Sequence, residues 1–297
     1  MTAQPTPTAL LLATDLSARS DRALARAVQL ARHWNARLVA VVALSEDADF
    51  SLPNRSQDAG DTGDIPPEPP AVYLERMARR DLADAGIPIE VRVVVGDPGP
   101  VALAVARETG CGLIVSGSAR SDASMRKDPG STVRWLSHHS EIPVLAVNDR
   151  VHGPYRHVTV ASDYSDPASE ALRLADGWFS DATARTLLHG YEVPLTTLAL
   201  NDAPRAQALE VAREQADAAA AQHLADVLGP AATRWQAVAR LAGPVRLLRQ
   251  HARDHATDLT VIASHGRSGL MDRLLGSVAD RLLETVGTDL LLVRPTR

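Results

Sequence analysis

Ala263-Ser264-His265-Gly266 is followed, nine residues on, by Gly276-Ser277-Val278. The run before it, Asp258 to Ala263, is short and apolar and reads as a buried strand. The residues after Gly276 recur at helical spacing. A strand, a loop of small residues and a helix start are together the parts of an anion site. Glycine lets backbone N–H groups approach a phosphate with no Cβ in the way, and unpaired amides at a helix start carry partial positive charge. An acid stands in a matching place, because Asp163 closes the apolar run His157–Ser162. In an open parallel sheet, ligands sit beyond the carboxyl ends of the strands, where the winding reverses. If the first and fourth strands of one unit are neighbours, Asp163 faces the glycine loop across a crevice. That arrangement suits a nucleotide, with the carboxylate toward the sugar or base and the helix start on the phosphates; a bare oxyanion would be repelled by Asp163. Ser162 and Gly190, at the ends of two strands, would border the base. Arg267, directly after Gly266, is either a neutraliser of phosphate charge or a solvated loop arginine.

Other reactive residue types form weaker patterns. His251 and His255 stand four apart on one predicted helix face, but no Cys, Asp or Glu pattern completes a metal site, so they read as surface histidines. His265 reads as a loop residue, and His138-His139 as partners of a helix C-terminus. No Gly-x-Ser-x-Gly elbow is present, and Lys127, the one lysine, lies outside any phosphate-loop context. Nothing assembles a nucleophile, a base and an oxyanion hole. The expected class is therefore binding rather than catalysis.

The elements that must position these residues come twice. Thr8–Thr14 is an apolar strand ending at Asp15, and His157–Ser162 ends likewise at Asp163. In the same register Ser165 answers Ser17, Ala171-Leu172 answers Ala23-Leu24, and Arg185 answers Arg37. Later in the chain Arg253 answers Arg107, Gly276-Ser277 answers Gly130-Ser131, and Leu290–Val293 answers Val144–Val147. Between these marks strands alternate with helices, and several strands are continuous apolar runs, as when helices cover both sheet faces. Two copies of this kind make two doubly wound parallel α/β units. Their expected bounds are residues 1–150 and 151–297. Residues 45–70, rich in Pro, Gly, Asp and Ser, have too little apolar content to pack and read as an excursion. Ser131 and Ser277 read as helix N-caps.

At 297 residues the chain is long for one core and comfortable for two. Its net charge of −5 gives no electrostatic case for nucleic acid or an anionic membrane. Cys111 is the sole cysteine, which excludes an intrachain disulfide and suits a reducing interior. No signal-peptide pattern and no apolar run of membrane-spanning length is seen, so a cytoplasmic protein is expected.

The sequence resembles the universal stress proteins in tandem, over nearly all of both halves. That family is marked by an Asp after its first strand and by Gly-x2-Gly-x9-Gly-(Ser/Thr) after its fourth. The second half keeps this pattern with Ala263 in place of the first glycine; the first half has Gly117-Ser118-Ala119-Arg120, then Gly130-Ser131, with Arg120 in place of the second. The resemblance implies a five-stranded sheet in each half in the order 3-2-1-4-5, similar to adenine nucleotide alpha hydrolases, and pairing through the last strand. It implies ATP as ligand, with or without Mg2+, and a role as a stress-response sensor or regulatory module. On that reading Ala263, Gly266, Gly276, Ser277 and Val278 hold phosphates and ribose, and Asp163 the nucleoside end. Arg120 and Pro129 put a nucleotide in the first half in doubt, since a side chain fills the approach and proline lacks an N–H. The two halves would form an internal pseudo-dimer, and a further homodimer is left open. An ATP-hydrolysing or adenylating enzyme of the same fold, and a ligand-free scaffold, remain as alternatives.

Overall fold

A computed structural model of the chain describes residues 4–18, 20–44, 69–118, 128–263 and 276–294. The first half runs β1 (Ala9–Ala13), α1 (Asp21–Trp34), β2 (Arg37–Leu44), α2 (Pro70–Asp81), β3 (Ile89–Val95), α3 (Pro98–Glu108), β4 (Leu113–Gly117), α4 (Ser131–His139) and β5 (Val144–Val147). The second runs β6 (His157–Ala161), α5 (Asp166–Trp178), β7 (Ala184–Tyr191), a single turn α6 (Leu195–Leu198), α7 (Asp202–Leu228), β8 (Gln236–Leu241), α8 (Pro244–Asp254), β9 (Leu259–Ala263), α9 (Ser277–Thr285) and β10 (Asp289–Val293). No described helix is long and apolar enough to cross a membrane.

The strand order is β3-β2-β1-β4-β5-β10-β9-β6-β7-β8. Each half therefore has the expected order 3-2-1-4-5, and the two five-stranded sheets pair through their last strands, also as expected. They merge into one sheet of ten strands, parallel within each half and antiparallel where β5 meets β10, with Leu291 opposite Leu145. Pairing at this seam removes the open edge that each last strand would otherwise present.

Along β1 the side chains of Leu10 and Leu12 enter one core, and those of Ala9 and Leu11 the other. That period of two places helices α1, α2, α5 and α7 over one face and α3, α4, α8 and α9 over the opposite face. Both faces are covered, which is why the strands are apolar on consecutive positions.

The seam is also stapled by polar groups. Asp289, fully buried at the start of β10, accepts hydrogen bonds from the Tyr155 hydroxyl at 2.6 Å and from the backbone N–H groups of Asn148 at 2.7 Å and Asp149 at 2.9 Å. Arg26 of α1 pairs with it at 3.3 Å and lies over the Tyr155 ring. Burial by itself pushes the Tyr155 hydroxyl well above the ordinary tyrosine value, and the Asp289 charge adds to that. Tyr155 is therefore a neutral donor here.

Candidate functional site

The loop after β6 builds itself from its own polar side chains. The Ser165 N–H and hydroxyl donate to Asp163 Oδ1 at 3.1 and 2.5 Å, and the Tyr164 N–H donates to Ser162 Oγ at 3.0 Å. Ser165 is also the N-cap of α5, its Oγ accepting from the Ala168 N–H at 3.3 Å. These bonds hold Tyr164 at φ +63, a left-handed conformation uncommon outside glycine. The first half repeats the device. The Ser17 N–H and hydroxyl donate to Asp15 Oδ1 at 3.0 and 2.7 Å, the Leu16 N–H donates to Thr14 Oγ1 at 3.0 Å, and Leu16 has φ +58. Burial pushes the Asp15 carboxyl up, but hydrogen bonds from Ser20 and Ser17 outweigh it and hold the group below the ordinary carboxylate value.

Because β6 pairs with β9, the turn at Asp163 and the end of β9 open on one crevice. A cavity of about 360 Å³ lies there, lined by Ser162, Asp163, Gly190, Ala263, Gly276, Ser277 and Val278. Every described residue singled out for the site thus meets at one place; Gly266 and Arg267 lie outside the described residues. Its remaining wall is apolar: Leu188 of β7, Pro244, Leu247 and Leu248 of α8, and Ile262 of β9. α9 opens the cavity with bare amides. Its first intrahelical bond runs from the Asp280 N–H to the Gly276 carbonyl at 3.0 Å, and no side chain caps it, so the N–H groups of residues 277–279 have no partner within the helix.

The helix caps differ from the sequence expectation. The N-cap positions are the glycines Gly130 and Gly276, and Ser131 and Ser277 are the first helical residues. A serine one place too late cannot fold its hydroxyl back onto the first turn as an N-cap does. Ala263 is not among the residues with positive φ, so its methyl carries no backbone strain. Gly276 has φ −60, which any residue adopts, whereas Gly130 has φ +81. Gly190 has a packing reason of its own: a Cβ there would stand 2.6 Å from the Ala242 carbonyl oxygen.

The first-half cavity, of about 300 Å³, is more polar and is lined by Asp15, Ser20, Ser116, Gly117, Pro129 and Gly130 among others. Here the Gly130 N–H is already taken, donating to Asp128 Oδ1 at 2.9 Å. A carboxylate of the chain thus stands at the N-cap of α4, beside the N–H groups of residues 131–133, which like those of 277–279 have no partner within their helix. Arg120, the residue that motivated the expected difference between the halves, lies outside the described residues.

Sequence reading missed several neighbours of the site. His189 precedes Gly190, lines the cavity, stacks on Tyr164 with ring centroids 4.1 Å apart, and bonds the Ser162 carbonyl through Nδ1 at 2.8 Å. His223 of α7 closes on Tyr164 from the other side at 4.8 Å, and burial holds its pKa below the ordinary histidine value. Pro244 did carry a usable signal, since it matches Pro98 in the repeat and both open a helix beside a cavity. One expectation is corrected. His251 is not a surface histidine but is buried, stacked on His255 at 4.1 Å, with its pKa lowered to about 4, chiefly by burial. His255, at the C-cap of the same helix, is exposed as expected; only His251, a turn earlier, is buried. Among the described residues no group of three His, Cys, Asp or Glu side chains is placed to hold a metal ion.

The model of the universal stress protein family matches residues 8–148 and, a second time, residues 154–294. The chain belongs to the universal stress protein family. A universal stress protein from Archaeoglobus fulgidus DSM 4304 is similar over 97% of this chain and 98% of its own, at 18% identity and a TM-score of 0.62. A functionally unknown protein from Pseudomonas aeruginosa PAO1 is similar over 98% and 94%, at 18% identity and a TM-score of 0.61. At such identities these two structures show the shared fold alone. A universal stress protein in complex with cAMP is 30% identical over 37% of this chain and 76% of its own, with a TM-score of 0.27. No curated protein matches the chain. Membership places this tandem universal stress protein among proteins of the stress response.

Proposed function

We propose that the second half binds an adenine nucleotide, ATP with or without Mg2+, and that the protein works as a sensor or regulatory module rather than as an enzyme. The observation that carries this reading is one cavity with two chemistries. At one end, the free amides at the start of α9 suit phosphate oxygens. Across from them, Leu188, Leu247, Leu248 and Ile262 offer an apolar wall to a base, and Asp163 an acceptor to a nucleoside. On this reading Ala263, Gly276, Ser277 and Val278 take phosphates and ribose, and Ser162 and Gly190 border the base. Gly266 and Arg267 complete the set. Mg2+ would enter with the phosphates, since among the described residues the cavity brings one carboxylate, Asp163.

The halves are not equivalent on this proposal. With Asp128 on the Gly130 N–H, a phosphate approaching α4 meets a negative charge. One nucleotide per chain is the expected stoichiometry.

Calorimetric titration with ATP tests both statements. The wild-type chain is expected to take up one nucleotide. Gly276→Val, at a φ of −60 that valine adopts, puts a branched side chain at the mouth of the amides. It is expected to weaken binding about 100-fold or more, while leaving the thermal melt in place. Two equivalent sites, or full affinity in Gly276→Val, would overturn the assignment.

A further inference from the structure

A larger cavity than either of these, about 560 Å³, lies away from both, where the connection between the halves crosses α1. Its walls hold Arg22 and Arg26 from α1, Arg150 and Arg156 from the connection, and two acids, Asp149 and Asp258. The connection is held in shape by the helix beneath it. Arg22 donates to the Asn148 carbonyl at 2.8 Å and Arg26 to the Gly153 carbonyl at 2.9 Å. Gly153, at φ +127, turns the chain between these two anchors.

The charges in this cleft are not balanced. Arg26 is answered by the buried Asp289 behind it. Asp258 Oδ2 is taken up by the backbone N–H groups of Arg156 and His157, at 2.7 and 2.9 Å. Arg22 contacts a neutral carbonyl; with Arg26 answered by Asp289, Arg22, Arg150 and Arg156 stand against the carboxylates of Asp149 and Asp258, so arginine is in excess in this cleft. The exposed guanidinium groups of Arg150 and Arg156 make no hydrogen bond or ion pair among the described residues. In a chain of net charge −5, this concentration of arginine is local and set against the overall sign. Guanidinium forks match the paired oxygens of phosphate groups, and several around one cavity favour an anion with more than one charge. The volume lies within the range of small-molecule sites, too confined for a nucleic acid duplex.

We propose that this cleft is a second, separate ligand site, and that it binds a small oligophosphate. Arg150 and Arg156 grip the anion from the connection, and Arg22 from α1. The shared chemistry is a chain of phosphates, supplied either as a free oligophosphate or as the phosphate tail of a nucleotide.

The test is titration of the full chain with inorganic tripolyphosphate, in three forms: wild type, Arg150→Gln/Arg156→Gln, and Gly276→Val. Both arginines are exposed and leave no buried partner behind, and an unchanged thermal melt confirms folding of the double variant. Wild type and Gly276→Val are expected to bind tripolyphosphate alike. The double variant is expected to lose affinity by about tenfold or more, as two charge-assisted contacts disappear. In the Gly276→Val background, ADP binding more weakly than tripolyphosphate identifies a free oligophosphate as the ligand, and tighter ADP binding identifies a nucleotide tail. The proposal is overturned if wild type fails to bind tripolyphosphate, if the double variant binds it unchanged, or if Gly276→Val abolishes the binding.

Discussion

Asp289 is the residue whose removal should tell most about how the halves are joined. Replacing it with alanine takes one carboxylate from a fully buried position, leaves three donors without an acceptor, the Tyr155 hydroxyl and the N–H groups of Asn148 and Asp149, and leaves the Arg26 guanidinium without its counter-charge. The guanidinium is the costly one, because the Arg26 side chain is only 5% exposed and would become an unpaired buried charge. Breaking one side of such a pair costs about 3–5 kcal/mol, and each stranded neutral donor about 1–3 kcal/mol. Water entering the space relieves part of this, so the expected loss for Asp289→Ala is about 4 kcal/mol. Asp289→Asn keeps an oxygen for the two N–H groups but turns an amide N–H toward Arg26 and toward the Tyr155 hydroxyl, which can accept from it, so its expected loss is smaller, about 2–3 kcal/mol. Adding Arg26→Met to Asp289→Asn removes the unanswered cation and should recover about half of that loss. Urea unfolding followed by tryptophan fluorescence reads the effect where it arises. Trp34 and Trp178 lie 5.5 Å apart, and both pack near Phe179, which meets Tyr155 edge-on at 5.5 Å. A loss under about 1 kcal/mol for alanine, or equal losses for alanine and asparagine, would refute the account of the seam as a charge-compensated staple.

Two further outcomes are expected. His251, with its pKa lowered to about 4 from an ordinary 6.5, is charged more readily in the unfolded chain, so its contribution to stability is intact above pH 6.5 and is lost as pH falls toward 4. The loss is on the order of 2–3 kcal/mol; His251→Leu should flatten this acid limb in urea midpoints measured from pH 7.5 to 4.5, and an unchanged slope would contradict the burial argument. Ser165→Ala removes both the cap of α5 and the hydroxyl that orients Asp163, and should cost about 1 kcal/mol by thermal melt. Ser17→Ala, which caps no helix, should cost less; equal losses would show that capping is not the larger part.

Much of the architecture was legible because it is carried by local spacing. The repeat placed Asp163 and the Gly276 helix start on strands that a parallel sheet brings together, and the structure gathers them around one cavity. What the sequence did not carry is mostly relational. Pairing of the halves through their last strands came from the family resemblance and from the repeat, and β5 does meet β10; what β5, a strand of four apolar residues, does not give is the register of that pairing. Leu16 and Tyr164 give no warning of left-handed φ, because the strain is imposed by hydrogen bonds from the preceding loop rather than by residue type. Asp289 reads as a polar strand start, and only the fold brings Arg26 from far along the chain to meet it. His251 and His255 stack at four-residue spacing, but spacing does not say that the first is buried in α8 while the second, at its C-cap, stays exposed. The helix starts show the same limit in miniature: glycine itself took the cap position, and the serine beside it was displaced by one.

The antiparallel seam also fixes how the ligand cavities can relate to one another. Strands are parallel within each half and reverse between β5 and β10, so the carboxyl ends of the two halves lie on opposite edges of the ten-stranded sheet. A nucleotide at Asp163 and anything at Asp15 are therefore held apart by the length of the strands and cannot touch. The arginine cleft sits where β5 ends and β6 begins, on the edge away from the second-half cavity. Its Arg26 is bound to Asp289, which starts β10; the far end of β10 lies beside Ala263, at the lip of the nucleotide cavity. If the two sites influence each other, the physical connection between them is this one strand and its buried carboxylate. On the functional reading proposed above, the duplicated fold puts the two ligand sites on opposite edges with a charge-compensated seam between them, which a single copy of the fold would lack.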